Sequence, residues 1–314
     1  MKGTPLAILI VLAATTVVAG QERSAASGGA EATTGEAAPL EPLANAAEAA
    51  LAVECEPWRG GALDLARCDL EAQRRGVPLA ALWSDRPETG VDCNALLTAT
   101  GVEATGDEAV AAVAAGFSTI KMKVGTAKPG EDEERVAEVR RRAGAGVRIR
   151  VDANGAWSPD RARGALKAMA AHDIEYAEDP VAGDGSALRG LGVPVALDAR
   201  TLESGWAAVR AGSIDALVLK PMALGGPTAT RELALAAIER GIAVTITSCF
   251  DTAVGIAGAL HLAASLPGPR RAHGLATAML LADAPLEGLP SVAGGRLALP
   301  SGAGLGVRLR RTAP

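Results

Sequence analysis

The sequence predicts an α/β fold, a (β/α)8-type parallel barrel preceded by a small N-terminal capping region. Three observations predict the barrel. Eight short apolar runs alternate with longer, Ala-rich stretches of helical spacing. The repeat is roughly 20–30 residues, the size of one βα unit. Nearly every run from the second to the seventh ends in an ionisable or polar residue, at the strand end where this fold carries its chemistry. A doubly wound open sheet is the competing architecture, but no glycine-rich phosphate fingerprint follows the first strand.

The elements follow in order. "ALDLARCDLEAQRRG" (62–76) has apolar residues at helical spacing, with Gly76 as its stop. Strands are expected at 93–100, 117–124, 147–154, 176–181, 193–199, 215–221, 243–250 and 272–277. Helices are expected between them, at 131–143, 158–172, 201–211, 227–240 and 252–266. On a strand, residues two apart share a face. Lys121 and Lys123 in "FSTIKMKVG" therefore project side by side, with Ile120 and Met122 on the other face. Val147, Ile149 and Val151 share one face of the third strand, and Asp152 and Asn154 share the other, toward the barrel interior.

Read at their C-terminal ends, the strands offer Lys121 and Lys123, Asp152 and Asn154, Glu178 and Asp179, then Asp198, Lys220 and Ser248. Asp152, Glu178 and Asp198 would converge at the barrel mouth. Three close carboxylates repel one another unless a cation joins them. Hard oxygen donors with room for water suit Mg²⁺, with Mn²⁺ as the alternative. A lysine beside a divalent cation and another ammonium has a depressed pKa and can serve as a base. The chemistry that uses this set is removal of a proton α to a carboxylate. Each piece alone has a plainer account: a helix N-cap, a turn at "DANG", a snorkelling lysine. Their arrival at one level of successive strands is what solvation does not explain.

The 314 residues are 49% hydrophobic, enough for one large domain or a large domain with a small partner. Net charge is −5 with no basic block, which excludes nucleic acid as the expected partner. Cys55, Cys68, Cys93 and Cys249 are scattered, without a metal-binding or disulfide pattern. Cys68 and Cys249 read as small buried hydrophobes. "MKGTPLAILIVLAATTVVAGQE" has the shape of a secretory signal, and its apolar run is too short for stable membrane insertion. A misplaced start or a strand of the fold are the other readings. Residues 21–38 read as a linker.

"KMKVG", "VDANGAW", "EDP", "ALDA", "LKP" and "HGLAT", in this order and spacing, resemble the enolase superfamily, in which a lysine base works with Mg²⁺. Within it the chain resembles the muconate-lactonising-enzyme subgroup, which has KxK on the second strand and a lysine on the sixth. "NALL" (94–97), "TSCFDTAVGIAGALHLAA" (247–264) and "AHGLATAMLLAD" (272–283) are most similar to the o-succinylbenzoate synthases of that subgroup. The resemblance runs from about residue 35 to the end. It implies Asp152, Glu178 and Asp198 as Mg²⁺ ligands and Lys123 as the base that later returns its proton. It implies Lys220 as the cation opposite the base, and Lys121 as the partner that tunes Lys123 near the substrate carboxylate. Asn154 and Ser248 are implied at the substrate or beside the metal ligands.

The resemblance also sets the expected activity: a carbon–oxygen lyase of menaquinone biosynthesis acting on a small carboxylate in the cytoplasm. Racemisation of N-acylamino acids or epimerisation of dipeptides is the alternative within the superfamily. A non-catalytic barrel, exported if residues 1–20 are a signal, is the alternative outside enzymes. Two departures stand out. The family has Asp-Glu where this chain has Asp198-Ala199-Arg200, removing an acid near Lys220. Only 34 residues precede "GEAAPL" (35–40), where the family carries a three-stranded sheet, so the cap reads as truncated. The expected organisation is 1–34 signal-like segment or cap remnant, 35–90 remaining cap and leading helix, 91–287 barrel, and 288–314 a segment returning to the cap.

Overall fold

The computed structural model describes residues 56–125, 130–183, 185–249, 251–277 and 286–309. The apolar run at 6–19, the linker, "GEAAPL" and Cys55 lie outside the described residues. Among the described residues, no helix is long and apolar enough to cross a membrane.

Helix α1 (Glu56–Arg75) leads in, ending on two arginines that suit a helix C-terminus. After the short strand β1 (Gly90–Asp92), seven parallel strands form one sheet in sequence order. They are β2 (Ala95–Leu97), β3 (Thr119–Lys123), β4 (Arg148–Asp152), β5 (Ile174–Glu178), β6 (Val195–Asp198), β7 (Ala216–Leu219) and β8 (Ala243–Ile246). The crossover helices are α2 (Val102–Ala114), α3 (Glu131–Ala143), α4 (Pro159–Met169), α5 (Leu202–Ala211) and α6 (Pro227–Glu239), with α7 (Ala253–Ser265) after β8. Alternation sorts each strand. Ile120, Met122, Ile149 and Val151 pack outward with Val136, Val139 and Ala162 of the helices. Tyr176, Ala196, Ala216 and Val218 form a separate inner cluster.

The ring closes through the eighth expected strand. His273 bridges in parallel to Cys93, and Gly274 to Thr247. The Asn94 N–H donates to His273 O at 3.0 Å, and the Gly274 N–H to Ile246 O at 2.9 Å. Closure at this point needs glycine, because a Cβ on Gly274 would lie 2.2 Å from Thr247 Oγ1. All eight expected strands therefore contribute to the barrel.

The strands end before their expected last residues, and at two of them the cause is local. β4 ends at Asp152 and β5 at Glu178, because Asn154 (φ 47°) and Asp179 (φ 41°) take left-handed backbone that Asn and Asp tolerate. Helix α2 is absent from the helices expected between the strands. Its buried face is Thr105, Gly106, Ala109 and Ala112, too small and mixed to give a strong apolar stripe. The cysteine expectation is corrected: Cys93 is the buried one, while Cys68 and Cys249 are half-buried.

The C-terminal residues return to the start of the described chain. β10 (Arg296–Ala298) pairs antiparallel with β1, and β11 (Arg308–Leu309) with β9 (Leu286–Glu287). His261 of α7 joins three distant segments. The Ala80 N–H donates to its Nδ1 at 3.2 Å, so Nε2 carries the proton and donates to Leu305 O at 3.2 Å. Burial holds this imidazole well below the usual histidine range, at about 4. The neutral ring therefore stabilises the fold above the ordinary histidine pKa, and that stability is lost as pH falls through about 4. The shift corresponds to about 3 kcal/mol. Urea denaturation between pH 7 and pH 4 will show wild-type stability falling more steeply than that of His261→Gln. Equal slopes would remove this role.

Candidate active site

A cavity of about 360 Å³ opens at the C-terminal ends of the strands. Lys121, Lys123, Asp152, Glu178, Lys220 and Ser248 all line it. The strand register brings them to one level: Lys123 pairs with Asp152, and Asp152 with Glu178. Asp198 ends β6 opposite Val218 of β7, two residues before Lys220.

The lysine pair does not face itself across empty space. Asp152 Oδ2 lies 2.8 Å from Lys121 Nζ and 2.7 Å from Lys123 Nζ, between the two ammonium groups. Lys121 also donates to both oxygens of Glu178, at 2.8 and 2.7 Å. Lys123 donates to Asn154 Oδ1 at 2.6 Å. Strand alternation alone would not deliver that contact. The left-handed turn at Asn154 does, helped by the Asn154 N–H donating to Asp152 Oδ1 at 3.0 Å. Lys220 is hydrogen-bonded to Asp198 Oδ2. Ser248 shares a 2.6 Å hydrogen bond with Thr277 from the closing segment.

The electrostatics follow from burial against pairing. Burial opposes ionisation of Asp152, but the flanking lysine ammoniums outweigh it and hold the carboxyl at about 2. Glu178 is pushed up to about 7 by burial, with Asp152 and Asp198 adding repulsion against the pull of Lys121. Lys121 and Lys220 are raised, because their carboxylate partners outweigh burial. The Asp152 carboxylate thus stands between the two ammonium groups. Ala199 is fully buried in the core with Val209 and Leu233. Arg200 lies at the surface, 3.9 Å from Asp179. The Asp179 carboxylate accepts the Asp198 N–H at 3.0 Å, bracing β6 rather than joining the cavity.

Among the described residues, no three acidic, histidine or cysteine side chains stand close enough together to hold a metal as they lie. The donor set nonetheless fits a hard divalent cation. Asp152, Glu178 and Asp198 supply carboxylates from three adjacent strands, and Asp198 Oδ1 is buried with no hydrogen-bond partner. The strand-end pattern did not single out Asn94, Tyr176 and Thr245, which line the cavity toward the barrel interior, or Thr277. Nor did it single out Asp251, a buried carboxyl pushed up to about 6 by burial, which feels the charge of Lys220. The alternating polar position in "VTITS" pointed to Thr245; Asp251 lies past the strand, where alternation gives no signal.

The family model for enolase C-terminal domain-like proteins matches residues 104–313. The chain belongs to the enolase superfamily. Its likenesses fall in the muconate-lactonising-enzyme subgroup. It is similar to the o-succinylbenzoate synthase of Mycobacterium ulcerans, 42% identical over 178 residues, which are 54% of this chain and 52% of the relative. This superfamily chain thus spans about half the length of the first curated relatives it matches. Among solved structures it is similar to a dipeptide epimerase from Enterococcus faecalis, 28% identical, TM-score 0.74, covering 84% of this chain and 79% of that one. Muconate cycloisomerase from Pseudomonas fluorescens shares the fold at TM-score 0.77 and 21% identity, over 85% and 76% of the two chains.

Proposed function

We propose that this chain is an o-succinylbenzoate synthase, dehydrating 2-succinyl-6-hydroxy-2,4-cyclohexadiene-1-carboxylate in menaquinone biosynthesis in the cytoplasm. The observation that carries the chemistry is the cavity in which Lys121 and Lys123 of β3 and Lys220 beyond β7 stand around Asp152 and Glu178, with Asp198 hydrogen-bonded to Lys220. The choice of reaction is supported by the mycobacterial relative.

Asp152, Glu178 and Asp198 would hold Mg²⁺, with Mn²⁺ as the alternative, and the ion would supply a Lewis acid beside the substrate carboxylate. Lys123, oriented by Asp152 and Asn154, takes the proton from the carbon bearing that carboxylate once its own amine is neutral. Lys220 supplies positive charge from across the barrel as negative charge builds on the carboxylate. Lys121 holds Glu178 and Asp152 in place and adds positive charge on the base's side of the cavity. Lys123 then returns its proton to the departing hydroxyl. A C–H and a C–O bond break, water leaves, and the ring becomes aromatic.

Epimerisation of a dipeptide uses the same lysines on opposite faces of Cα, and the Enterococcus structure keeps that reading in view. Dipeptide epimerases carry Asp-x-Asp on the last strand to hold an ammonium, and "HGLAT" has no such pair. Loss of cyclohexadiene absorbance on mixing the full chain with substrate and Mg²⁺ tests the proposal. A folded protein without turnover overturns it, and solvent deuterium entering Cα of a dipeptide would establish the epimerase instead.

A further inference from the structure

Helix α3 buries an ion pair that the reaction does not use. Asp132 and Arg135 stand one turn apart, both almost fully enclosed, with Arg135 Nη1 3.4 Å from Asp132 Oδ1. The pair is loose as a salt bridge, and the better hydrogen bonds of both groups go elsewhere. Arg135 Nη1 donates to the carbonyl of Lys123 at 2.9 Å. Nη2 donates to the carbonyl of Ala99 at 2.7 Å, and Nε to Thr105 Oγ1 at 3.1 Å. Asp132 Oδ2 accepts the N–H of Gly125 at 2.9 Å.

These contacts converge on one place. Lys123 is the last residue of β3, and Gly125 lies two residues beyond it. Ala99 lies just beyond β2, and its N–H donates to Glu108 at 3.0 Å. Gly125 sits at φ 96° with Ala156 so close that a Cβ would come within 2.9 Å. The Lys123 backbone is thus gripped at its own carbonyl and at the second amide after it, and tied through one guanidinium to the end of the neighbouring strand. A buried charge pair is a poor way to gain stability, since apolar groups of the same size often do better. It is a good way to fix backbone in one place, because a planar guanidinium directs its donors rigidly.

We propose that Arg135 and Asp132 are positioning residues for Lys123, acting through the backbone on either side of it. This rests on Lys123 being the base. A small misplacement of a reacting group can cost about 10²-fold in rate, which is the scale expected of losing the clamp.

The full chain is compared with Arg135→Met, Arg135→Lys and Asp132→Asn. By hydrogen exchange, the peptide spanning 117–125 in Arg135→Met should exchange about tenfold faster, a local opening, while β7 stays as in wild type. Arg135→Lys, which keeps a charge-assisted bond to one carbonyl, should fall between. In turnover, kcat should drop about 10²-fold in Arg135→Met with KM within about threefold, and Arg135→Lys should recover part of it. Should Arg135→Met fail to fold, the Lys and Asn variants carry the same comparison. Unchanged exchange at 117–125, or local opening with kcat held, overturns the proposal. If the wild-type chain turns over no substrate, the proposed function fails on its own, and exchange alone decides the clamp.

Discussion

Lys123→Ala will slow removal of the α-proton by about 10²–10⁴-fold, the usual contribution of a positioned acid–base group. Lys123 Nζ sits 2.7 Å from Asp152 Oδ2 and 2.6 Å from Asn154 Oδ1, while half of its side chain is open to the cavity mouth. It is therefore both held and accessible, which Lys121, largely buried against Glu178, is not. Because Lys123 offers no oxygen to a cation, the variant should bind Mg²⁺ with nearly unchanged affinity. The measurement pairs turnover with a Mg²⁺ titration followed by calorimetry. Lys123→Arg separates charge from basicity, since a guanidinium keeps the former and does not deprotonate. Substantial activity in either variant would move the base elsewhere.

Arg150→Ala will destabilise the fold by about 3–5 kcal/mol, the cost of breaking a buried charge pair from one side. Arg150 is fully enclosed in the barrel, 2.7 Å from Glu175, 3.3 Å from Asn94 Oδ1, and 4.8 Å above the ring of Tyr176. Its loss leaves Glu175 with Arg271 at 3.2 Å and opens a void in the barrel interior. Arg150→Met separates the two effects, because the thioether fills much of the space without the charge. Urea midpoints and slopes for both variants give the answer. A loss below 1 kcal/mol for the alanine variant would mean that water and Arg271 compensate.

Much of this was legible in the chain because it lies in regular strands. Period-two alternation carries position and facing together, and Lys121, Lys123, Asp152, Glu178 and Lys220 line one cavity, with Asp198 hydrogen-bonded to Lys220. What alternation did not carry is where each strand stops. Asn154 reaches Lys123 by a left-handed turn, not by continuing β4. Nor does a residue's type report its depth. Arg148 and Arg150 are two apart on β4, yet the first lies exposed at the strand's start and the second fully buried at its middle. Helix α2 escaped notice because small residues bury little apolar area and leave a faint period. The helical spacing at 131–143 carries no sign of the Asp132–Arg135 contacts, since Arg135 bonds main-chain carbonyls distant in sequence.

The seam at Gly274 has a kinetic consequence. The ring closes only when residues 273 and 274 slot between Cys93 and Thr247, and Cys93 and His273 are separated by most of the barrel's length. Contacts between such distant positions form late, because the intervening loop must first lose its freedom. A nascent chain that has not yet presented this dipeptide holds β2 and β8 as two bare strand edges, which invite pairing with other molecules. Replacing Gly274 by any larger residue should therefore show first as aggregation during refolding, before any effect on the finished site is measured.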